Sequence, residues 1–164
     1  MKILGIDPGK SGGIALIDGE RVVNTWIMPT TPEPKKRINT PALIDILSAH
    51  DVDKIYIEEQ WVKKGQGGAL TIGKNYGRIL GILELGVAPI IEVRPKVWQS
   101  RMLAMQMYKT QNTKQASILY CRDRGWDVPM TSNYKNATPH DGVADALCIA
   151  AYGMELARVE AMMI

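Results

Sequence analysis

Acidic residues at the ends of two apolar runs have the clearest chemical potential in this sequence. Asp7 closes the run 2–7 and is followed by a Pro-Gly turn, where backbone can approach a ligand closely. Glu58 and Glu59 follow a second apolar run, which begins at Lys54. Successive side chains of a strand point to opposite faces, so only one of these glutamates can share a site with Asp7.

A second acidic pair, Asp141 and Asp145, lies four residues apart near the end of the chain. On a helix this spacing places both carboxylates on one face, where they repel each other unless a cation lies between them. A solvated acidic helix start, favoured by the helix dipole, would explain Asp141. It explains Asp145 poorly, because the residues around Asp145 are strongly apolar.

The four carboxylates together predict a metal centre. Carboxylate oxygens suit Mg²⁺ or Mn²⁺, and the chain has only two cysteines and two histidines, without zinc-like spacing. Two such ions about 4 Å apart can activate a water and stabilise the leaving oxygen in phosphodiester hydrolysis.

Hydrophobic periodicity and turn residues predict the elements that must position these acids. Strands are expected at 2–7, 12–18, 21–28, 54–58 and 88–93, and helices at 40–50, 69–85, 95–107, 112–125 and 141–160. The first three strands are expected to be antiparallel, and the β-β-β-α-β order predicts a mixed α/β sheet of five strands flanked by α-helices. Residues 30–39, with two prolines, are expected to form a mobile loop, and Thr40 to cap the first helix.

Length and composition predict one globular domain over residues 1–164. Hydrophobic residues make up 46% and charged residues 23% of the chain, values typical of a soluble core-forming protein. No apolar run reaches the length of a membrane helix, and the first residues do not resemble a signal peptide, so a cytoplasmic location is expected.

The motifs ILGIDPGKSGGIAL, IYIEEQ and HDGVADALCIA, in this order, resemble those of the RuvC-like Holliday junction resolvases of the RNase H-like superfamily. The arrangement is most similar to the small phage and poxvirus-type branch, and a phage-encoded protein in a bacterial host would fit it. The resemblance implies an RNase H-like fold and a structure-selective endodeoxyribonuclease. It further implies that this enzyme, as a homodimer, makes paired symmetric cuts in four-way DNA junctions. Two Mg²⁺ ions per active site, replaceable by Mn²⁺, are implied, and no nucleotide cofactor or membrane partner.

Residue by residue, the resemblance assigns the metal ligands and the catalytic groups. The metal ligands would be Asp7, Glu58, Asp141 and Asp145, and Lys114 would be a further catalytic residue that holds the phosphate to be cut. In the bacterial enzymes the glutamate is followed directly by Gln, which would favour Glu59. The distance to the following glycine-containing helix favours Glu58.

Two positions depart from the family pattern. The acid before Asp145 lies three residues upstream in the bacterial enzymes, but here that position is Gly142 and the acid is Asp141. The family lysine after the fifth strand has no clear counterpart, because this segment offers Lys96, Trp98 and Gln99 instead.

Basic residues outside the centre are candidates for DNA binding. With the four acids set aside, 20 Lys and Arg face 13 other Asp and Glu, an excess suited to salt-dependent binding of phosphates. The candidates are Lys35, Lys36, Arg37, Lys63, Lys64, Lys96 and Arg101, with Arg94 and Lys109 nearby. Trp61 could stack on an exposed base at a branch point, and loop 61–68 is expected to enter the crossover.

The helix after the fourth strand is expected to pair two subunits, as in the family. Five apolar residues would be buried partly against the partner: Leu70, Ile72, Ile79, Leu80 and Leu83. Glycines at intervals of four, Gly73, Gly77 and Gly81, would permit close approach of the two helices.

Three other functions fit parts of the sequence. A nuclease of the same fold could act on flaps, forks or RNA–DNA hybrids, because carboxylates act on the phosphate and not on the branching. An actin-like ATPase also has an IDxGxxxG loop, but it needs two related domains. A non-catalytic DNA-binding domain would not be expected to keep four acids that repel DNA.

Overall fold

A five-stranded sheet forms the centre of the computed structural model, which describes residues 1–34, 36–86, 88–132 and 135–163. The strands are β1 (Lys2–Asp7), β2 (Gly13–Asp18), β3 (Arg21–Ile27), β4 (Lys54–Glu58) and β5 (Ile90–Val93). Their order is β3-β2-β1-β4-β5, with β1, β2 and β3 antiparallel and with β4 and β5 parallel to β1. The predicted mixed sheet is therefore confirmed.

Helices cover both faces of this sheet. They are α1 (Thr40–Ser48), α2 (Ala69–Leu83), α3 (Pro95–Met102), α4 (Ala104–Thr110), α5 (Thr113–Asp123) and α6 (Asp141–Met162). On one face α3, α5 and α6 enclose a core with residues of β1, β2 and β4, and on the other face α1 and α2 enclose a second core. Both faces of the sheet need cover because the central strand β1 is apolar on both sides. Its Ile3 belongs to the first core, and its Leu4 and Ile6 belong to the second.

The prediction of one continuous helix over 95–107 is wrong, because this segment forms two helices, α3 and α4, which meet at Leu103. Its backbone, at φ −107° and ψ 3°, departs from helical geometry, and its side chain is fully buried in the core. Burying this leucine while α4 leaves in a new direction outweighs the helical propensity of the segment.

The N-cap of the first helix lies one residue earlier than predicted. Asn39, not Thr40, is the N-cap, since its side-chain oxygen accepts a hydrogen bond from the backbone N–H of Ala42. The proline-rich segment before it is irregular, yet Thr30 and Ile38 form a β-bridge and Ile38 is buried. Lys35, a predicted DNA contact, lies outside the described residues.

The helices of the described residues are each too short or too polar to span a membrane.

Candidate catalytic centre

Two of the predicted ligands lie side by side at one edge of the sheet. β1 and β4 are parallel neighbours in which Ile6 pairs with Ile57, so Asp7 and Glu58 are the next residues on adjacent strands. Parallel strands end at the same edge, which brings both carboxylates to one place. Helix α6 packs across β1 and β2 and begins at this edge with Asp141.

Backbone contact fixes the start of α6 and explains one departure from the family pattern. Gly12, in the β1–β2 turn, forms a parallel bridge with Gly142. A Cβ atom at Gly142 would lie 2.4 Å from the carbonyl oxygen of Ser11, which is closer than real Cβ atoms come. An acidic side chain therefore does not fit at position 142, and the acid stands at Asp141.

Glu58 and Glu59 have different environments, which separates the two candidates. The indole N–H of Trp98, a fully buried side chain, donates to Oε2 of Glu58 at 2.9 Å. Glu59 lies within ion-pair distance of the exposed Arg94, with 3.5 Å between its Oε2 and the arginine Nε. Of the two glutamates, Glu58 is the one on which the charge of Asp7 acts and whose own charge acts on Asp145.

Asp145 is held from the neighbouring helix. The hydroxyl of Ser117 on α5 donates to Oδ1 of Asp145, and Ser117 is fully buried between α5 and α6. Asp145 is thus bound by a buried, uncharged donor, and so is Glu58, which also accepts a longer hydrogen bond of 3.4 Å from the side-chain amide of Gln60. Such a donor fixes a carboxylate but leaves its negative charge uncompensated.

Lys114 forms the charged contact of the centre. Its Nζ lies 2.6 Å from Oδ2 of Asp141, and the charges of Asp145 and Asp7 also act on it. The hydrogen bond with Asp141 raises the pKa of Lys114. Burial alone would raise the pKa of Asp141, but the hydrogen bond and charge of Lys114 lower it.

The other three carboxylates have raised pKa values. Burial raises the pKa of Asp7 to about 6, against a lowering hydrogen bond from the N–H of Gly9. Burial likewise raises the pKa of Glu58 to about 7, opposed by the Trp98 hydrogen bond, and that of Asp145 to about 7, opposed by Ser117. The charge of a neighbouring acid adds to each shift: Asp141 acts on Asp7, Asp7 acts on Glu58, and all three act on Asp145. The centre therefore holds more negative charge than its own residues neutralise.

This donor set suits a divalent cation. Among the described residues no three His, Cys, Asp or Glu side chains converge as a preformed metal cage. The acids instead contact Trp98, Ser117 and Lys114. Their oxygens are the hard ligands that Mg²⁺ and Mn²⁺ prefer, and a cation would compensate the buried charge. The chemistry of the residues fits the implied metal.

Most predicted DNA contacts are exposed. Lys36, Arg37, Lys63, Lys64 and Lys96 all lie on the surface. Trp61 is 64% exposed, with the Arg94 guanidinium 5.9 Å from its ring centroid. Arg101 differs from the others, since its Nε lies 2.9 Å from the Glu155 carboxylate on α6.

Helix α2 only partly matches the predicted subunit face. Ile79 and Leu83 are buried within the chain's own core, so they are not free for a partner. Leu70 is 70% exposed, and a Cβ added at Gly73 or Gly77 would meet no atom within 4 Å. The same is true of Gly81. The outer face of α2 is therefore open, with Leu70 exposed and with Ile72 and Leu80 half-buried.

A curated relative matches nearly the whole chain. The crossover junction endodeoxyribonuclease RuvC of Carboxydothermus hydrogenoformans is 27% identical over 161 residues, which cover 93% of this chain and 95% of the relative. The chain is similar to RuvC. The resemblance predicted from the three motifs is thus confirmed, although no protein-family model matches the sequence.

Solved structures of RuvC extend the likeness to the fold. The RuvC of Thermus thermophilus in complex with a Holliday junction substrate superposes with a TM-score of 0.68 at 20% identity, covering 97% of this chain and 96% of that one. A resolvase of Fowlpox virus in complex with substrate Holliday junction DNA gives a TM-score of 0.55 at 16% identity, covering 96% and 99%. The predicted RNase H-like fold is confirmed.

Three polar residues of the centre were not among the predicted site residues or were left without a role. Trp98 was only noted in place of a missing lysine, and Ser117 carries no sequence signal beyond its position one turn after Lys114. His140 is the buried N-cap of α6, accepting from the N–H of Val143 through Nδ1. Its polar type just before an acidic helix start was the available signal.

Proposed function

We propose that this protein is a structure-selective, metal-dependent endodeoxyribonuclease that resolves four-way DNA junctions by paired, symmetric phosphodiester hydrolysis. The observation that carries the proposal is that Asp7, Glu58 and Asp141 lie close enough to Asp145 for their charges to act on it, with Lys114 bound to Asp141. These groups stand in a chain that is similar to the crossover junction endodeoxyribonuclease RuvC along nearly its full length. The proposal treats residues 1–164 as one nuclease domain acting on DNA in the cytoplasm.

The four carboxylates are the proposed ligands of two Mg²⁺ ions, with Mn²⁺ as a substitute. Bound ions of this kind would activate a water and stabilise the leaving oxygen. The 5′-phosphate and 3′-hydroxyl ends proposed for the products are those that the family resemblance implies. The chain's own residues orient the reactants. Trp98 and Ser117 hold Glu58 and Asp145 in place, and Lys114 lies where it can pair with a DNA phosphate.

The selectivity for four-way junctions is proposed to come from the dimeric assembly and from the basic surface. A two-fold dimer with one centre per subunit would make two symmetric cuts. The exposed face of α2 supports such pairing, since Leu70 and the open glycines have no partner among the described residues. Loop 61–68, with exposed Trp61, Lys63 and Lys64, is the proposed element at the crossover.

The decisive experiment compares labelled four-way, three-way, flap, linear duplex and RNA–DNA hybrid substrates at one salt concentration. We expect Mg²⁺-dependent cutting of the four-way junction in preference to the others. Asp7→Asn, Glu58→Gln and Asp145→Asn should each lower the cleavage rate by about a thousandfold or more, because removing an electrostatic group from the reacting centre has effects of this order. Junction binding should remain, since it rests on basic residues elsewhere.

Glu59→Gln is the matched control, because it changes the same atoms one residue away on the opposite side of β4. It should cut at close to the wild-type rate. A dead Glu59→Gln with an active Glu58→Gln would overturn the ligand assignment. Equal rates on duplex and four-way junction would overturn the resolvase function in favour of a general nuclease, and full activity in EDTA would overturn the metal mechanism.

A further inference from the structure

An open groove of about 700 Å³ lies between α3, α4 and the first residue of α5. Ligand pockets typically measure roughly 300–1,000 Å³. The apolar part of its lining includes Ala104 and Met107, and the polar part includes Lys96, Gln99 and Gln111. None of the described residues that line it is acidic, so the groove is compatible with a polyanion.

The groove adjoins the candidate catalytic centre. Thr113 lines the groove and precedes Lys114, whose Nζ contacts Asp141 at 2.6 Å. Gln99 also lines it and follows Trp98, which holds Glu58. The groove and the centre thus share α3 and the start of α5, so the groove is placed to receive a nucleotide adjacent to a phosphate that binds at the carboxylates.

The groove offers the groups that a nucleobase needs. The side-chain amides of Gln99 and Gln111 make no hydrogen bond within the described part of the chain, and each has both donors and acceptors for a base edge. The polarizable thioether of Met107 packs well against aromatic rings. Lys96 is exposed and has no ion pair with another described residue, so it can contact a phosphate.

These observations favour an unpaired base over other occupants. A base inside a duplex presents only its edges, whereas a base that has left the stack can place its face on an apolar surface. We propose that this groove binds an unstacked nucleobase of the DNA strand next to the phosphate that is cut. The inference rests on the proposed function and adds a base-binding subsite to the same centre.

An abasic scan tests the subsite directly. Four-way junctions carrying one abasic nucleotide, moved in turn through the positions flanking the cut, are bound by full-length protein with Ca²⁺ in place of Mg²⁺. At one position the wild type should lose about tenfold in affinity, because a stacked base contributes this order of binding. Met107→Ala should bind the intact junction more weakly, and the abasic site should weaken it little further.

Two further variants separate base contact from altered folding. Met107→Leu keeps an apolar side chain and should retain sensitivity to the abasic site. Gln99→Ala and Gln111→Ala should change the order in which the four bases are preferred at that position, measured by cleavage in Mg²⁺. Gln115→Ala is the control. Gln115 is an exposed residue near the start of α5, but it does not line the groove.

The outcomes distinguish this inference from the function on which it rests. A wild type that does not prefer the four-way junction over duplex overturns the proposed function. A wild type with that preference, but with equal loss at every abasic position, overturns the groove alone. The proposed base-binding groove is also overturned if Met107→Ala remains as sensitive to the abasic site as the wild type.

Discussion

Helices α6 and α2 lie on opposite faces of the sheet and differ in how completely this chain covers them. Of the 22 residues of α6, 13 are buried, whereas α2 buries four of 15. α6 carries Asp141 and Asp145, and its small residues sit directly against the strands. The outer face of α2 carries Leu70 and open glycines. The comparison shows that the helix with two of the proposed metal ligands is covered by its own chain, while α2 has an open face, as the proposed pairing of two subunits requires.

The largest expected effect comes from adding one methyl group under α6. A Cβ at Gly5 would lie 2.1 Å from the carbonyl oxygen of Ala146 and 2.5 Å from the N of Ala150, both backbone atoms of the helix. We expect Gly5→Ala to lower the free energy of unfolding by about 3 kcal/mol, since neither backbone can give way cheaply. Urea unfolding followed by circular dichroism measures this.

Gly77→Ala on α2 is the matched control for that substitution. No atom lies within 4 Å of its added Cβ, so the change should raise monomer stability by roughly 0.5–1 kcal/mol through helix propensity. If both substitutions destabilise equally, the contrast between the two helices is wrong.

The next effect is on metal-free stability as a function of pH. The pKa values of about 6 for Asp7 and about 7 for Glu58 and Asp145 lie above the usual range for carboxyl groups. At pH values between the usual carboxyl pKa and these raised pKa values, the folded state binds more protons than the unfolded state. The free energy of unfolding therefore falls as the pH rises. We expect a loss on the order of 2 kcal/mol between about pH 5 and pH 8 in EDTA.

Two comparisons sharpen this pH prediction. Asp145→Asn should flatten the pH dependence of thermal unfolding in EDTA, because it removes one buried charge. Mg²⁺ added at pH 8 should restore part of the stability lost by the wild type. A pH-independent unfolding free energy would show that the acids are not buried as a group.

A smaller effect is expected for the support of Glu58. Trp98→Phe removes the indole N–H that donates to this carboxylate but keeps an aromatic ring in the core. We expect Mn²⁺ affinity, measured by isothermal titration, to fall about tenfold, as for other partners of metal ligands. Trp126→Phe is the control, because its N–H donates to the carbonyl of Glu20, away from the acids. Equal metal affinity in both variants would contradict the role of Trp98.

The smallest effect concerns the open face of α2. Leu70→Ala should weaken the proposed dimer by about fivefold, or about 1 kcal/mol, because it removes the exposed apolar side chain of that face. Met105→Ala changes an equally exposed apolar residue on α4 and should leave dimerisation unchanged. Sedimentation equilibrium measures both. A wild type that is monomeric with and without junction DNA would remove the basis for pairing through α2.

Local patterns were sufficient to predict the strands and most helices, because both are set by periodicity and turn residues. The acids could be predicted for the same reason, since Asp7 and Glu58 end strands and Asp145 follows Asp141 by one helical turn. The hydrogen-bond partners of these acids could not be predicted from the sequence. Trp98 reaches Glu58 only because α3 folds back onto the sheet, a tertiary arrangement that no local spacing encodes.

The break at Leu103 was missed for a similar reason. The segment around it has acceptable helix formers, and only the depth of the core beneath α3 decides that this side chain turns inward. The choice of Asn39 over Thr40 as N-cap also depends on backbone geometry, because both residue types are good caps.

The bridge between Gly12 and Gly142 limits how this lineage can change. The single substitution Gly142→Asp would recover the three-residue acid spacing described for bacterial RuvC, but its side chain would collide with the β1–β2 turn. A drifting sequence would have to rebuild that turn first, with Asp7 at its base. A change of the acid spacing at this position therefore needs a simultaneous change of the turn against which Gly142 packs.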